Sequence, residues 1–266
     1  MGRRKILIHG VTGRMGRQVL EALCNEKDME PTSGVAGSLS SGQQALPNGL
    51  GSINVESSLS ESLGQSLPDV IVDFTNVDAS IAACRLAAPL GVNLVVGTTG
   101  LSEENLTELD ALANQHKIGI VVAPNFALGA VLLIHLARGL GKYFDYADIV
   151  ETHHEAKIDS PSGTALALAR SLKEGRAMPF VKTKSEKETL IGARGADHEG
   201  VAIHSVRTPG RMAHHEIVLG AMGQTLVLRH DTINRECYMP GVILAIRESM
   251  RSKGLVVGLE AILGLK

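Results

Sequence analysis

The sequence predicts an α/β protein, with an N-terminal Rossmann-type domain built on a parallel sheet and a second, α+β domain that contains an open mixed sheet. Three observations support this prediction. Short apolar runs alternate with helix-forming segments through the first half of the chain. A glycine-rich turn stands between the first apolar run and the first helical segment. Beyond residue 126 the pattern changes to alternating runs that are joined by glycine-containing turns.

The first half has the strand–helix alternation of a doubly wound sheet. Its predicted strands cover residues 5–9, 32–37, 69–75, 92–96 and 118–123, and its predicted helices cover residues 17–23, 79–88 and 103–116. Most of these strands are nearly continuous in apolar residues, as expected where a parallel sheet is covered on both faces. We interpret the Gly/Ser-rich stretch 33–52 as the nearest approach to a flexible loop.

The pattern of the second half predicts three further helices and a different kind of sheet. Its helices are predicted at 128–140, 165–172 and 239–250, and its strands at 147–151, 200–207, 213–219 and 225–230. Such strands indicate an open antiparallel or mixed sheet with a large face available for subunit pairing. Because the last helix is expected to return to the first domain, we assign residues 1–126 and 235–266 to a dinucleotide-binding domain. Residues 127–234 then form a substrate-binding and oligomerisation domain.

The composition excludes several classes of protein. Of the 266 residues, 44% are apolar and 20% are charged, as in an ordinary globular protein. The chain has 26 basic and 28 acidic residues, so it lacks the net positive charge that favours binding to nucleic acid or a membrane surface. Aromatic residues are only 3%, too few for nucleic-acid stacking platforms. The three cysteines are scattered, which is typical of a reducing compartment, and no apolar run could span a bilayer. We therefore expect a cytoplasmic protein.

A glycine-rich turn predicts the cofactor site of the first domain. Gly10-Val-Thr-Gly-Arg-Met-Gly16 follows a predicted strand and opens a predicted helix, the context that indicates dinucleotide binding. Glycines there permit a tight turn, and the pyrophosphate then lies at the helix N-terminus. The alternative is a glycine-rich turn without a ligand. The candidate cofactor-binding residues of the turn are Gly10, Val11, Thr12, Gly13, Arg14, Met15 and Gly16.

Three further polar or glycine-rich segments follow predicted strands. Ligands of parallel sheets bind beyond the C-terminal ends of the strands, so these segments are candidates as well. They contribute Phe74, Thr75, Gly97, Thr98, Thr99, Ala123, Pro124, Asn125 and Phe126. The end of the second strand carries Ser38 where an acidic residue would normally hold the ribose of NAD, and Arg14 could supply a cation to a 2′-phosphate. This favours NADPH weakly, or the use of both cofactors.

The segment Glu151–Thr164 is the most informative stretch of the second half. It places imidazole and ammonium groups beside a Ser-Pro-Ser-Gly-Thr string that leads into a predicted helix, which Ser162 or Thr164 could cap. A helix N-terminus offers free backbone N–H groups to an anion. The alternative is a solvated loop with ordinary cap chemistry. The candidate proton donors of the segment are His153, His154 and Lys157.

The remaining histidines are interpreted as structural. His215 and His230 could approach the active cleft, but a sheet histidine without a catalytic role is the favoured interpretation. A metal site built from His153, His154 and His214 lacks any supporting ligand spacing, so we expect no metal.

Assembled in this order, these segments resemble the dihydrodipicolinate reductase (4-hydroxy-tetrahydrodipicolinate reductase) family of the diaminopimelate route to lysine. The resemblance covers essentially the whole chain. It rests on the glycine turn 10–16, Asp73-Phe-Thr75, Gly97-Thr-Thr-Gly100, Pro124-Asn-Phe126 and, above all, the string from His153 to Thr164.

The resemblance implies NADH- or NADPH-dependent reduction of a cyclic imine-type dicarboxylate, in a two-domain subunit of a homotetramer formed through the second domain's sheet. It makes His153 and Lys157 the acid/base and proton-donor residues. It assigns His154, Gly163 and Thr164, with Ser162 beside them, to the substrate carboxylates. The segments 10–16, 97–99 and 123–126 match cofactor contacts, and Phe74 and Thr75 are placed with them.

The chain departs from the family at Ser38 and Leu39, where an acidic residue is common, and at Val77, which replaces a proline. Two other functions remain as alternatives: a related dehydrogenase acting on an amino or oxo dicarboxylate such as aspartate, and a non-catalytic dinucleotide-sensing protein. The latter would tolerate replacement of His153 and Lys157.

Overall fold

Strands and helices alternate along the first part of the chain. The computed structural model describes residues 2–37, 41–176, 178–183 and 185–265. The elements up to Phe126 are β1 (Arg4–His9), α1 (Arg14–Cys24), β2 (Met29–Val35), β3 (Gly42–Ala45), β4 (Ser52–Glu56), α2 (Leu59–Gln65), β5 (Val70–Asp73), α3 (Val77–Ala87), β6 (Asn93–Val96), α4 (Glu103–His116) and β7 (Gly119–Val122).

The second part has longer strands and two helices that cover one face of its sheet. Its elements are α5 (Leu128–Leu140), β8 (Tyr146–His153), α6 (Gly163–Glu174), β9 (Ala196–His198), β10 (Val201–Arg207), β11 (Ala213–Ala221) and β12 (Gln224–Thr232). The last segment contains α7 (Met239–Arg251), β13 (Gly254–Val257) and α8 (Leu259–Ile262). Within its described residues the chain forms two compact units, one up to Phe126 with Tyr238–Leu265 and the other Ala127–Cys237.

The first unit is organised around an eight-stranded sheet of order β13-β7-β6-β5-β1-β2-β4-β3. All neighbouring strands are parallel except β3 and β4. The central strands are apolar because both faces are covered: Ile6–Ile8 and Val70–Val72 are fully buried. Side-chain caps fix the helices that follow, with Asn76 capping α3 and Ser102 capping α4. The C-terminal ends of β1, β5, β6 and β7 therefore meet at one edge.

The second unit contains a five-stranded sheet of order β12-β11-β8-β10-β9. β8 pairs in parallel with β10 and antiparallel with β11, so the sheet is mixed, as predicted. Alternate residues of β8, including Ile149 and Glu151, face the helices, while Tyr146 and Asp148 lie on the other face. The apolar core between sheet and helices includes Leu168 of α6.

The predicted fold class is confirmed, but several short elements were missed. The stretch 33–52, interpreted as a flexible loop, contains the end of β2 and the whole of β3. β3 consists mostly of polar, exposed residues at the sheet edge, so it lacks the apolar alternation that reveals a strand. β9 and α8 are too short to show any period. In the described part of the chain, no helix combines the length and apolar character needed to cross a bilayer.

Candidate active site

The glycine turn between β1 and α1 is shaped to receive a phosphate-bearing ligand. Gly13 N–H donates to the Gly10 carbonyl (3.0 Å), which closes the turn. A methyl group on Gly16 would overlap that carbonyl, so only glycine permits this close approach. Gly13 is the N-cap of α1 and provides no side-chain cap, and no acidic residue lies in the first turn. The N-terminal N–H groups of α1 are thus left for an anion, and the turn fits a dinucleotide.

The other predicted cofactor segments lie at the same edge of the sheet. Phe74 and Thr75 follow β5, Gly97–Thr99 follow β6, and Ala123–Phe126 follow β7. The rings of Phe74 and Phe126 pack with centroids 5.6 Å apart. The structure therefore brings these three segments and the glycine turn together. Thr12 and Met15 are half-buried and Arg14 is exposed, whereas the predicted ribose residue Ser38 lies outside the described residues.

A buried carboxylate organises this edge. Asp73, at the end of β5, is fully buried and accepts hydrogen bonds from Ser80 Oγ (2.5 Å), Thr98 Oγ1 (3.0 Å) and Thr75 Oγ1 (3.0 Å). His9 Nδ1 lies 2.6 Å from Asp73 Oδ2, the oxygen that also accepts from Thr75. Burial opposes ionisation, but these contacts outweigh it and lower the pKa of Asp73. The carboxylate thus fixes the segments that follow β1, β5 and β6.

In the second unit, strand β8 carries the candidate catalytic histidine. His153 is the last residue of the strand and is buried, rather than part of a solvated loop. Its Nδ1 forms a short contact with the Glu151 carboxylate, two residues earlier on the same face of the sheet. Burial lowers the pKa of His153, the Glu151 carboxylate opposes this effect, and the nearby Lys157 and Arg207 charges add to it. The imidazole is therefore held in a defined charged environment.

Glu151 is the centre of this environment. It is fully buried and accepts two hydrogen bonds from the Arg207 guanidinium, at 2.8 and 3.0 Å, and one from the Ser162 backbone N–H at 3.3 Å. Burial favours the neutral acid, but Arg207, Ser205 and His153 outweigh it and lower the pKa of Glu151. The carboxylate is therefore ionised at neutral pH.

The loop after β8 carries the second candidate proton donor. Lys157 Nζ donates to Asp159 Oδ1 at 2.5 Å, and the lysine side chain is only 20% exposed. The Lys157 backbone N–H closes a turn onto the His154 carbonyl (3.2 Å), and His154 itself is exposed. Arg207 reaches this loop as well, through the Asp159 carbonyl at 2.7 Å. Asp159, which pairs with Lys157, thus links the loop to Arg207 of the sheet.

Helix α6 begins where the sequence predicts an anion cradle. Ser162 is its N-cap, since its hydroxyl accepts from the Ala165 N–H (3.1 Å), so Ser162 rather than Thr164 has this role. The first N–H groups of a helix have no intrahelical partner, which leaves those of Gly163 and Thr164 for a carboxylate. Gly163 is exposed and Thr164 is half-buried.

His215 belongs to this cluster, although the sequence favoured a sheet histidine without a role in the site. Its Nε2 lies 3.1 Å from Ser162 Oγ, and its ring stacks edge-on against His153 with centroids 5.3 Å apart. Burial lowers the pKa of His215 to about 4. Strand pairing explains the placement, because His215 lies opposite Glu151 in the register of β11 with β8.

Sequence reasoning missed Glu151, Arg207 and Asp73 as members of the two clusters. One signal was available: Glu151 and His153 are two apart on a strand, so they share a face. Arg207 is 56 positions from Glu151, and only the pairing of β8 with β10 brings it near. Among the residues that the structure describes, no group of His, Cys, Asp and Glu side chains is arranged to hold a metal ion.

Comparison with known proteins decides the family. The model for the dihydrodipicolinate reductase N-terminus matches residues 4–126, and that for the dihydrodipicolinate reductase C-terminus matches residues 129–263. The chain belongs to the dihydrodipicolinate reductase family.

Individual members of this family are similar over almost their full length. The 4-hydroxy-tetrahydrodipicolinate reductase of Dehalococcoides mccartyi strain CBDB1 is 49% identical over 261 residues, which cover 98% of each chain. That of Moorella thermoacetica is 41% identical over 97% of each chain. A solved structure, dipicolinate-bound dihydrodipicolinate reductase from Paenisporosarcina sp. TG-14, is 37% identical with a TM-score of 0.87, covering 98% of this chain and 99% of that one. The predicted family and enzyme class, a nicotinamide-dependent oxidoreductase, are confirmed, and the two alternative functions are not favoured.

Proposed function

We propose that the chain reduces 4-hydroxy-tetrahydrodipicolinate to tetrahydrodipicolinate, with Lys157 and His153 as its proton-transfer residues. The observation that carries the proposal is the arrangement of the second unit. An imidazole and the start of a helix contact a single buried carboxylate, Glu151, and Arg207, which holds that carboxylate, also contacts the loop that carries the Lys157 ammonium group. Relatives up to 49% identical over the full chain carry the name of this reductase.

The chemistry of the reaction needs proton donors at the substrate. A nicotinamide dinucleotide supplies hydride when bound. Hydride addition to an unsaturated system that contains a C=N bond moves an electron pair toward nitrogen, so a proton must be delivered. Lys157 carries an ammonium group on a half-buried side chain, and His153 has Nε2 available because Nδ1 contacts Glu151. Such a positioned acid accelerates a reaction by roughly 10²–10⁴-fold.

The two carboxylates of the substrate require fixed donors. We infer that the first N–H groups of α6, at Gly163 and Thr164, receive one of them, with Ser162 holding the turn. The exposed imidazole of His154 lies in the same loop and receives the other. The dipicolinate bound to the Paenisporosarcina enzyme is a dicarboxylate of this kind.

In the first unit, the glycine turn and the segments 74–75, 97–99 and 123–126 hold the dinucleotide. The preference between its two forms remains a proposal. The exposed Arg14 is a candidate to contact a 2′-phosphate, and no acidic residue stands at positions 35–41 to repel one. These two features weakly favour NADPH over NADH.

The test is a reductase assay of the wild type and of Lys157→Ala. Freshly made hydroxy-tetrahydrodipicolinate is supplied with NADH or NADPH, and loss of the reduced nicotinamide absorbance is followed. We expect turnover by the wild type, and the ratio of kcat/KM for the two cofactors measures the preference. We expect kcat to fall by about 10²–10⁴-fold in Lys157→Ala. Cofactor affinity should not change.

Lys173→Ala is the matched control. Lys173 lies on α6 and pairs with Glu199 at the surface, so its removal should leave kcat unchanged. Wild-type cofactor binding without turnover would reject the proposed reaction. Normal turnover in Lys157→Ala would reject the assignment of the proton donor.

We also propose a homotetramer formed through the five-stranded sheet. The face opposite α5 and α6 carries the exposed apolar residues Tyr146, Val206 and Val227. A hollow of about 660 Å³ on this face is bordered by Asp148 and Arg194. Exposed apolar surface of this kind supports subunit pairing. Native mass spectrometry tests this, and a monomer at micromolar concentration would contradict it.

A further inference from the structure

We propose that Glu151 is a positioning residue of the active site: held by Arg207, it determines which nitrogen of His153 carries a proton. The same carboxylate links that imidazole to the N-cap of the helix assigned to substrate binding. This inference rests on the proposed reductase function and adds to it a residue that touches neither substrate nor cofactor.

Four donors converge on the Glu151 carboxylate. Oε1 accepts from the Arg207 Nη2 and the Ser162 backbone N–H, and Oε2 accepts from the Arg207 Nη1 and contacts His153 Nδ1. All four groups surround a side chain with no exposed surface. An ionised carboxylate can only accept hydrogen bonds. His153 Nδ1 must therefore carry a proton, which leaves Nε2 as the nitrogen that exchanges protons with the substrate.

Arg207 contacts more than the Glu151 carboxylate. Its guanidinium donates to both Glu151 oxygens and, in addition, to the Asp159 carbonyl at 2.7 Å. Asp159 is the residue that pairs with Lys157. One ion pair thus fixes the orientation of the imidazole, the end of the Lys157 loop and the N-cap of α6. This is the arrangement in which a buried acid orients a catalytic imidazole without itself reacting.

The charges around His153 have both signs. The titratable and charged groups that face His153 are Glu151 on its own strand, Lys157 and Asp159 in the following loop, Arg207 on β10 and His215 on β11. Glu151 and Asp159 are negative, but only Glu151 contacts the imidazole, whereas Asp159 pairs with Lys157. Without the Glu151 charge, the cationic Lys157 and Arg207 would outweigh Asp159, and the protonated form of His153 would be disfavoured.

Glu151→Gln separates these effects because it keeps the shape and removes the charge. If the new amide oxygen takes the place of Oε2, its NH₂ faces two donors, Arg207 and Ser162. If it takes the place of Oε1, the NH₂ faces Arg207 and His153 Nδ1, and an imidazole nitrogen can accept. The second orientation leaves fewer unpaired donors. The neutral imidazole should therefore change to the tautomer with the proton on Nε2.

The experiment combines a pH profile with histidine NMR. We expect Glu151→Gln to lower kcat/KM by about 100-fold or more. In the pH profile of kcat/KM, the limb that reflects the titration of His153 should move to lower pH by about 1–3 units. In the ¹⁵N spectrum of the wild type, neutral His153 should carry its proton on Nδ1, and in the variant on Nε2. Glu174→Gln is the control, since Glu174 lies at the exposed C-terminal end of α6 and pairs with Arg138.

Two results would overturn the proposal. One is an active wild type whose Glu151→Gln variant keeps kcat/KM within a factor of about 3 and an unshifted pH profile. The other is a wild-type His153 that carries its neutral proton on Nε2, a result that does not depend on whether the variant folds. A wild type without reductase activity would reject the proposed function instead, and the NMR spectrum would still decide the role of Glu151.

Discussion

Each unit of the chain contains a fully buried carboxylate at or near the C-terminal end of a strand, but the two are stabilised by different chemistry. Asp73 is surrounded by the hydroxyls of Thr75, Ser80 and Thr98, with one imidazole, that of His9. Glu151 is held by a guanidinium, an imidazole and a backbone N–H. Both carboxyls have lowered pKa values despite burial.

The difference shows two ways to keep a charge inside a protein. Three of the partners of Asp73 are neutral hydroxyls, on the segments that follow β5 and β6 and on helix α3, so packing of the first unit holds them in place. Glu151 depends on a full positive charge from Arg207, on another strand. The first arrangement suits a rigid edge that receives a cofactor. The arrangement around Glu151 places a charged pair beside His153, a proposed proton-transfer residue.

The largest expected effect comes from removing the cation of the second unit. Arg207→Leu leaves Glu151 buried without its guanidinium, and breaking a buried pair in this way costs about 3–5 kcal/mol of the free energy of unfolding. His9→Leu removes one partner of Asp73 but leaves three hydroxyls, so we expect a loss of about 1 kcal/mol. Urea unfolding at neutral pH measures both variants. Equal losses would show that the two carboxylates are held in the same way.

The next effect is a pH dependence that only the second unit should show. His215 lies among His153, Glu151, His214 and His230, and its pKa of about 4 in the folded state is below the ordinary value of 6.5. Between these values the unfolded chain binds more protons, so stability is complete above about pH 6.5 and falls as the pH is lowered. The expected loss between about pH 7.5 and about pH 5 is about 2 kcal/mol.

Urea unfolding across this range tests the prediction, with His215→Asn as the variant that removes the titrating group. His116→Asn, at the end of α4 in the first unit, is its control. We expect the first substitution to reduce the pH dependence, leaving the part due to His153 and His230, whose pKa values burial also lowers, and the second to leave it unchanged. An unchanged slope in His215→Asn would assign the pH dependence to another group.

The smallest effect concerns the packing that holds the Asp73 edge. A methyl group at Gly97 would overlap the ring of Phe74. Moving that ring should cost about 1–2 kcal/mol of stability and weaken cofactor binding. Gly64→Ala is the matched control, because Gly64 lies in α2 with open space beside it, and alanine favours a helix. Calorimetric titration with NADPH measures the binding, and normal affinity in Gly97→Ala would show that this edge tolerates displacement.

Periodicity and turn chemistry were sufficient to predict the fold class and most long elements, because each depends on neighbouring residues. The glycine turn 10–16 and the Ser162 cap are local features of this kind. The edge strand β3 and the short β9 were missed because they are short and mostly exposed, so neither shows an apolar period. The same limit applies to the site: His153 and Lys157 stand out in the sequence, whereas Arg207 and His215 join them only through strand pairing.

The bond from Arg207 to the Asp159 carbonyl has a consequence for how the site comes into being. The conspicuous string from His153 to Thr164 is complete long before β10 and β11 have been synthesised, yet the groups that orient it lie on those later strands. A nascent chain that stops short of residue 207 would contain the whole signature and no ordered site. For the same reason, transplanting the string into another scaffold would transfer its residues without the groups that order them into a site.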